Sequence, residues 1–252
     1  MANILLEAPV FTVEGALKAA EYGVDRLEIC SDFSVGGTTP SAGMISYLKD
    51  KLNIPIYVMI RPRGTDFVYT KEEFVVMEKD INSFRKMGVD GFVFGALTPS
   101  GAIDMENCRK LINAAEDKPC TFHRAFDVSL DLNTSIDQII SLGFKRILTS
   151  GGMNTVTEGM DKLLGLLEIA QNRIIVLPGG GLLPHHIPTL AQTGNLIEVH
   201  ASCKTFRVSE AKSQNSNLQF STNTSVANQV LTIDPEQVAE FKDRIRSLPS
   251  NY

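Results

Sequence analysis

Seven polar residues stand at the C-terminal ends of short apolar runs. Glu7 lies near the end of "NILLEA", Glu28 in "RLEIC", Arg61 in "PIYVMIRP", His123 in "CTFHRA" and Ser150 in "RILTSGG". Glu198 and His200 share "LIEVHAS". A histidine beside a glutamate can serve as general acid or base near neutral pH. An arginine can hold a carboxylate or phosphate through two parallel N–H groups. Two histidines with carboxylates can also bind a divalent metal. Burying a charge without a partner costs several kcal/mol. Two histidines, three carboxylates and one arginine at one end of a set of strands therefore point to a shared pocket. The competing reading is an ion-pair network that only staples strands together. For Glu198, a full pleat below His200, the two readings weigh equally.

Strand parity refines the roles. Glu28 shares a face with Cys30, Arg61 with Met59, Thr121 with His123, and Glu198 with His200. His123 is then expected to face a pocket, within reach of Glu28 or Glu7 directly or through one water, with Arg61 beside it. Arg124 would point the other way and pair with Asp127. Glu7, Glu28, His123 and His200 become candidate acid–base groups. "TSGG" and "PGGG" add Ser150, Gly151, Gly152, Gly180 and Gly181, whose amides could cradle an anion beside Arg61; tight turning is the plainer reading. Arg63 reads as a solvated loop charge. No lysine ends strands one to seven, which disfavours a Schiff-base mechanism. No nucleophile elbow is present.

These residues need a scaffold that brings strand ends together. "YGVDRLEIC", "MGVDGFVFG" and "LGFKRILTS" share one grammar, with "TGNLIEVHAS" a looser fourth copy. Each reads as a helix ending at a Gly, a short turn, and an apolar strand. Their spacing leaves room for about two βα units per copy. Eight strand candidates follow, each short and rich in Val, Ile, Leu or Phe, as strands covered on both faces are. Helical patterns alternate with them. Phe74, Met77, Ile81 and Phe84 share one face of "TKEEFVVMEKDINSFRKMG". "DPEQVAEFKDRIRSL" opens with a cap at Asp234 and Pro235 in the first helical position. One (β/α)8 TIM-type barrel over residues 1–252 is the expected fold, with a doubly wound sheet as the alternative. Segments leaving strands are the long ones, and in a barrel these form the face where active sites lie. The Ser/Asn/Gln-rich stretch 208–228 reads as a flexible loop.

Composition narrows the function classes. The chain has 252 residues, 43% of them hydrophobic, enough for a sizeable core without disulfides or metal. The net charge of −5 is spread evenly with no basic block, which argues against nucleic acid as a partner. No apolar run is long enough for a membrane helix, and "MANILLEAPV" lacks the basic start of a signal peptide. A cytoplasmic location is expected. Cys30, Cys108, Cys120 and Cys203 are far apart and form neither a disulfide framework nor a zinc spacing.

Taken in order, "DRLEIC", "GGTTPS", "VMIRPRGTDFVYT", "DGFVFGAL", "TFHRAFD", "LTSGG", "PGGG" and "EVHAS" make the chain resemble the CutC family, linked to copper homeostasis. The resemblance spans Ile4 to about Ser202. It implies a TIM-type barrel, a cytoplasmic homodimer, and a mouth formed by Glu7, Glu28, Arg61, His123 and His200. It also implies Cu(I) binding through cysteines, of which Cys30 is one. The second would follow Glu7, where this chain reads Ala8 and Pro9. Cu(I) prefers at least two soft ligands, so weak, Cys30-dependent copper binding is expected, with Met59 or Cys203 as substitute sulfurs. The residues themselves equally suit a barrel lyase or isomerase acting on a small phosphorylated or carboxylated compound.

Overall fold

The computed structural model describes residues 4–211 and 228–249. Eight parallel strands form one sheet: β1 (Leu5–Val10), β2 (Arg26–Ile29), β3 (Ile56–Met59), β4 (Gly91–Phe94), β5 (Cys120–Phe122), β6 (Arg146–Thr149), β7 (Ile175–Pro178) and β8 (Glu198–His200). Their order is β7-β6-β5-β4-β3-β2-β1-β8. The last strand returns to the first, pairing Leu5 with Glu198 and Glu7 with His200. This is the expected barrel rather than a doubly wound sheet. No backbone ladder joins β7 to β8, so the barrel is nearly closed. The seam is tight all the same, because a Cβ added at Gly179 would come within 3.0 Å of the His200 Cβ.

The helices run α1 (Val13–Glu21), α2 (Ala42–Lys51), α3 (Lys71–Lys86), α4 (Met105–Ala115), α5 (Leu132–Leu142), α6 (Val156–Ala170), α7 (Ile187–Ala191) and α8 (Pro235–Arg246). Local chemistry sets their ends. Thr70 and Glu73 close a capping box on α3, and Met77, Ile81 and Phe84 bury its inner stripe. The repeat grammar has a backbone cause. Gly23, Gly88, Gly143 and Gly194 all take positive φ, between 70° and 94°, where a side chain would be strained. Two residues later, Asp25 and Asp90 accept the backbone N–H of Leu6 and Ile56 on the preceding strands, at 2.8 and 2.9 Å. These two repeats thus tie the turn back to the sheet.

One element differs from expectation. The segment after β8 begins and ends in an antiparallel hairpin, β9 (Lys204–Val208) with β10 (Gln229–Ile233). The two strands are far apart in sequence, so the pairing partner is invisible in the chain alone. The remainder of the expected flexible loop, residues 212–227, lies outside the described residues. Among the described residues, no helix is long and apolar enough to cross a membrane.

Candidate functional site

Inside the barrel the first polar layer is structural. The Arg26 Nε donates to Glu7 Oε2 at 2.5 Å, and its Nη2 to Glu198 Oε2. Arg146 Nε donates to the same Glu198 oxygen at 2.6 Å. The Tyr57 ring lies against both guanidinium groups, at 4.7 Å from Arg26 and 5.2 Å from Arg146. Glu198 is therefore the counterion of two arginines, which favours the stapling reading for it. Arg26 and Arg146 open their strands, β2 and β6, at the end opposite the polar rim expected from sequence. A signal existed: Arg26 shares parity with Glu28.

Above this layer stand Glu7, Glu28 and His200. The His200 Nδ1 is 2.8 Å from Glu7 Oε1, and its Nε2 is 3.9 Å from Glu28 Oε2. The three offer ligand atoms all within 4.8 Å of one another. Burial raises the Glu28 carboxyl to about 7, the nearby Glu7 charge adding to this and His200 opposing it. Burial also acts on Glu7, but the Arg26 charge and the His200 hydrogen bond outweigh it and hold that carboxyl at about 2. For His200 burial favours the neutral ring, yet the Glu7 hydrogen bond and the Glu28 charge raise its pKa. Glu7 thus orients and charges His200, while Glu28 sits poised to exchange a proton with it near neutral pH.

Cys30 borders the same group, its Sγ 3.6 Å from Glu28 Oε2. Burial, then the Glu28 charge, pushes its thiol well above the ordinary range. Met59 lies beside it: a Cβ built on Gly37 would be 3.3 Å from Cys30 Sγ and 3.6 Å from Met59 Cε. Cys203 instead belongs to the main apolar core. At the position where a second cysteine was sought, Pro9 lines the mouth, whereas Ala8 is buried in the main apolar core. A sulfur following Glu7 could reach the mouth only from position 9, which is Pro9.

Arg61 and His123 line the same cavity, of about 660 Å³. His123 makes no direct hydrogen bond to Glu28 or Glu7. Its Nδ1 accepts the Ala125 N–H at 3.2 Å, capping the short 3₁₀ turn Arg124–Val128. Burial, and next the Arg61 charge, lowers its pKa to about 3, so the ring is neutral. The histidine paired with carboxylates is His200 alone. The Arg61 Nη1 donates to the carbonyls of Val35 and Gly37 at 2.7 and 2.9 Å.

Arg124 does pair with Asp127, at 2.7 Å, but it does not face the helix layer. It lines the mouth, because the chain leaves β5 at His123 and strand parity ends there. Its Nη2 donates to the Ser150 hydroxyl at 2.6 Å, and its guanidinium lies over Gly180, where a Cβ would come within 2.9 Å. The "TSGG" turn does hold an anion, and that anion is Asp127. The backbone N–H groups of Ser150 and Gly152 donate to its carboxylate at 3.1 and 2.9 Å. The Gly151 N–H donates to the Thr149 hydroxyl. Ser150, Gly151 and Gly152 are thus committed within the chain. Gly180 accommodates Arg124, and Gly181 abuts Thr155. Arg63, read as a loop charge, pairs with Asp66 and Glu73.

The fold and mouth define a (β/α)8-barrel protein with a buried acid–imidazole cluster at the C-terminal ends of its strands. The profile described as CutC family matches residues 4–205. The chain is 41% identical to the human copper homeostasis protein cutC homolog over 231 residues, 92% of this chain and 85% of that one. It is 40% identical to a family protein CutC of Histophilus somni, over 94% of this chain and 97% of that one. A solved CutC structure from Streptococcus agalactiae superposes with a TM-score of 0.73 at 37% identity, covering 79% of this chain and 98% of that one. The chain belongs to the CutC family.

Proposed function

We propose that this chain serves copper homeostasis by holding a copper ion at the barrel mouth, on His200 and Glu28 with Cys30 at the edge. The observation that carries this is the convergence of Glu7, Glu28 and His200 ligand atoms within 4.8 Å. Relatives named for copper homeostasis support it. An imidazole with carboxylates suits Cu(II); one thiol and the Met59 thioether offer Cu(I) a weaker seat. Ligation requires Glu28 to lose its proton, so affinity rises with pH through about 7. The test is titration with Cu(II), and with Cu(I) against a competing chelator. One Cu(II) per chain is expected, weakened by His200→Gln and by Glu28→Gln. Binding indifferent to both substitutions, or tight Cu(I) binding that survives Cys30→Ser, would refute the assignment.

One observation favours a second reading. A cavity of about 660 Å³ is far larger than an ion and matches a small organic molecule. In that reading Glu28 and His200 act as acid and base on a bound compound.

A further inference from the structure

Among the described residues, Arg61 is the one buried arginine without a carboxylate partner. Arg26 has Glu7 and Glu198, whereas Arg61, 4% exposed, has only carbonyls. Its Nη1 is satisfied, its Nη2 reaches the Thr65 carbonyl only at 3.5 Å, and its Nε has no hydrogen-bond acceptor, with the likewise unpartnered Tyr69 hydroxyl as its polar neighbour. The open edge is therefore Nε with Nη2, the side-on fork that fits the two coplanar oxygens of a carboxylate. A buried guanidinium left without an anion is costly.

His123 presents a second orphan. Its Nδ1 accepts the Ala125 N–H, so the proton of the neutral ring sits on Nε2. That Nε2 is buried and has no acceptor. A neutral imidazole with a fixed Nε2–H is a donor for a carbonyl or hydroxyl oxygen. Phe67 packs on both groups, its centroid 4.8 Å from the Arg61 guanidinium carbon and 4.8 Å from the His123 ring centroid. That ring belongs to the segment between β3 and α3 and lines the cavity with both groups.

We propose that the barrel mouth binds a small monocarboxylate bearing a further acceptor oxygen, its carboxylate on the Nε edge of Arg61 and the other oxygen on the His123 Nε2–H. A monoanion matches the one uncommitted buried cation, since Arg124 is already neutralised by Asp127. Lys204 also lines the mouth, but it is exposed and lies over the Phe33 ring rather than at the buried Arg61 edge. The inference takes up the cavity of the second reading and is independent of copper.

The test uses chelator-treated protein and pyruvate as probe, followed by titration calorimetry and by the imidazole ¹⁵N–¹H signals. One pyruvate per chain is expected, with the His123 Nε2–H resonance shifting on binding. Affinity should fall roughly tenfold or more in Arg61→Lys, which keeps the charge and loses the fork, and should also fall in His123→Gln. If a variant does not fold, the His123 resonance in the unaltered protein decides. Absence of pyruvate binding, affinity unchanged in both variants, an unmoved His123 signal, or inorganic phosphate binding more tightly than pyruvate would each overturn the proposal. Binding without turnover would leave it standing and remove only the catalytic part of the second reading.

Discussion

Lowering the pH from 7 to 5 should draw a large, separable loss of stability from His123. Its folded pKa is about 3 against an ordinary 6.5, because the ring is buried and Arg61 repels a second charge. As pH falls below 6.5, the unfolded chain takes up a proton that the folded ring refuses. The stability that rests on the neutral ring is thus present above 6.5 and is lost as pH falls toward 3. From pH 7 to pH 5 the loss is about 2 kcal/mol, reaching about 4 kcal/mol near pH 3. Other groups act in the same window with the opposite sign. Glu28 and His200 have raised pKa values, so their protonation favours the fold as pH falls. The wild-type curve alone therefore hides the effect. Urea denaturation of the wild type and His123→Gln at pH 7 and pH 5 isolates it, since the background cancels in the difference. The wild type should lose about 2 kcal/mol more than the variant over that interval. Parallel curves would mean that His123 titrates as it does in the unfolded chain, and both its burial and its fixed tautomer would be refuted.

Two further outcomes follow from the ion pairs. Asp127→Ala strands the Ser150 and Gly152 N–H groups and the Arg124 charge, and should cost about 3 to 5 kcal/mol. Arg124→Ala should cost only about 1 kcal/mol, because that side chain is 38% exposed; chemical denaturation giving equal losses would contradict the role of Asp127 as the anion of the turn. Glu198→Gln leaves Arg26 and Arg146 without their shared counterion and should cost about 3 to 5 kcal/mol, so a loss below about 1 kcal/mol would show that the lower ion network adds nothing.

Much of the architecture was legible in the chain because it depends on local physics. The glycine that ends every second helix, the apolar run that follows and the cap that opens the next helix are near-neighbour effects. Their repetition sets eight βα units, and alternation along each strand places Glu28, Arg61, His123 and His200 at one rim. What the chain could not reveal was which of those groups touch. His200 rather than His123 meets the carboxylates, since contact across β1, β2 and β8 depends on strand register and closure. Arg124 turned from the helix layer to the mouth because β5 ends at Phe122, three residues before the end of the expected strand "CTFHRA", and parity has no meaning in a 3₁₀ turn. The "TSGG" amides, expected to cradle an anion beside Arg61, hold the Asp127 carboxylate instead, brought there by the same turn. Arg61 without a carboxylate and His123 without an acceptor are likewise facts of tertiary structure: a missing partner can be recognised only when every neighbour has been placed.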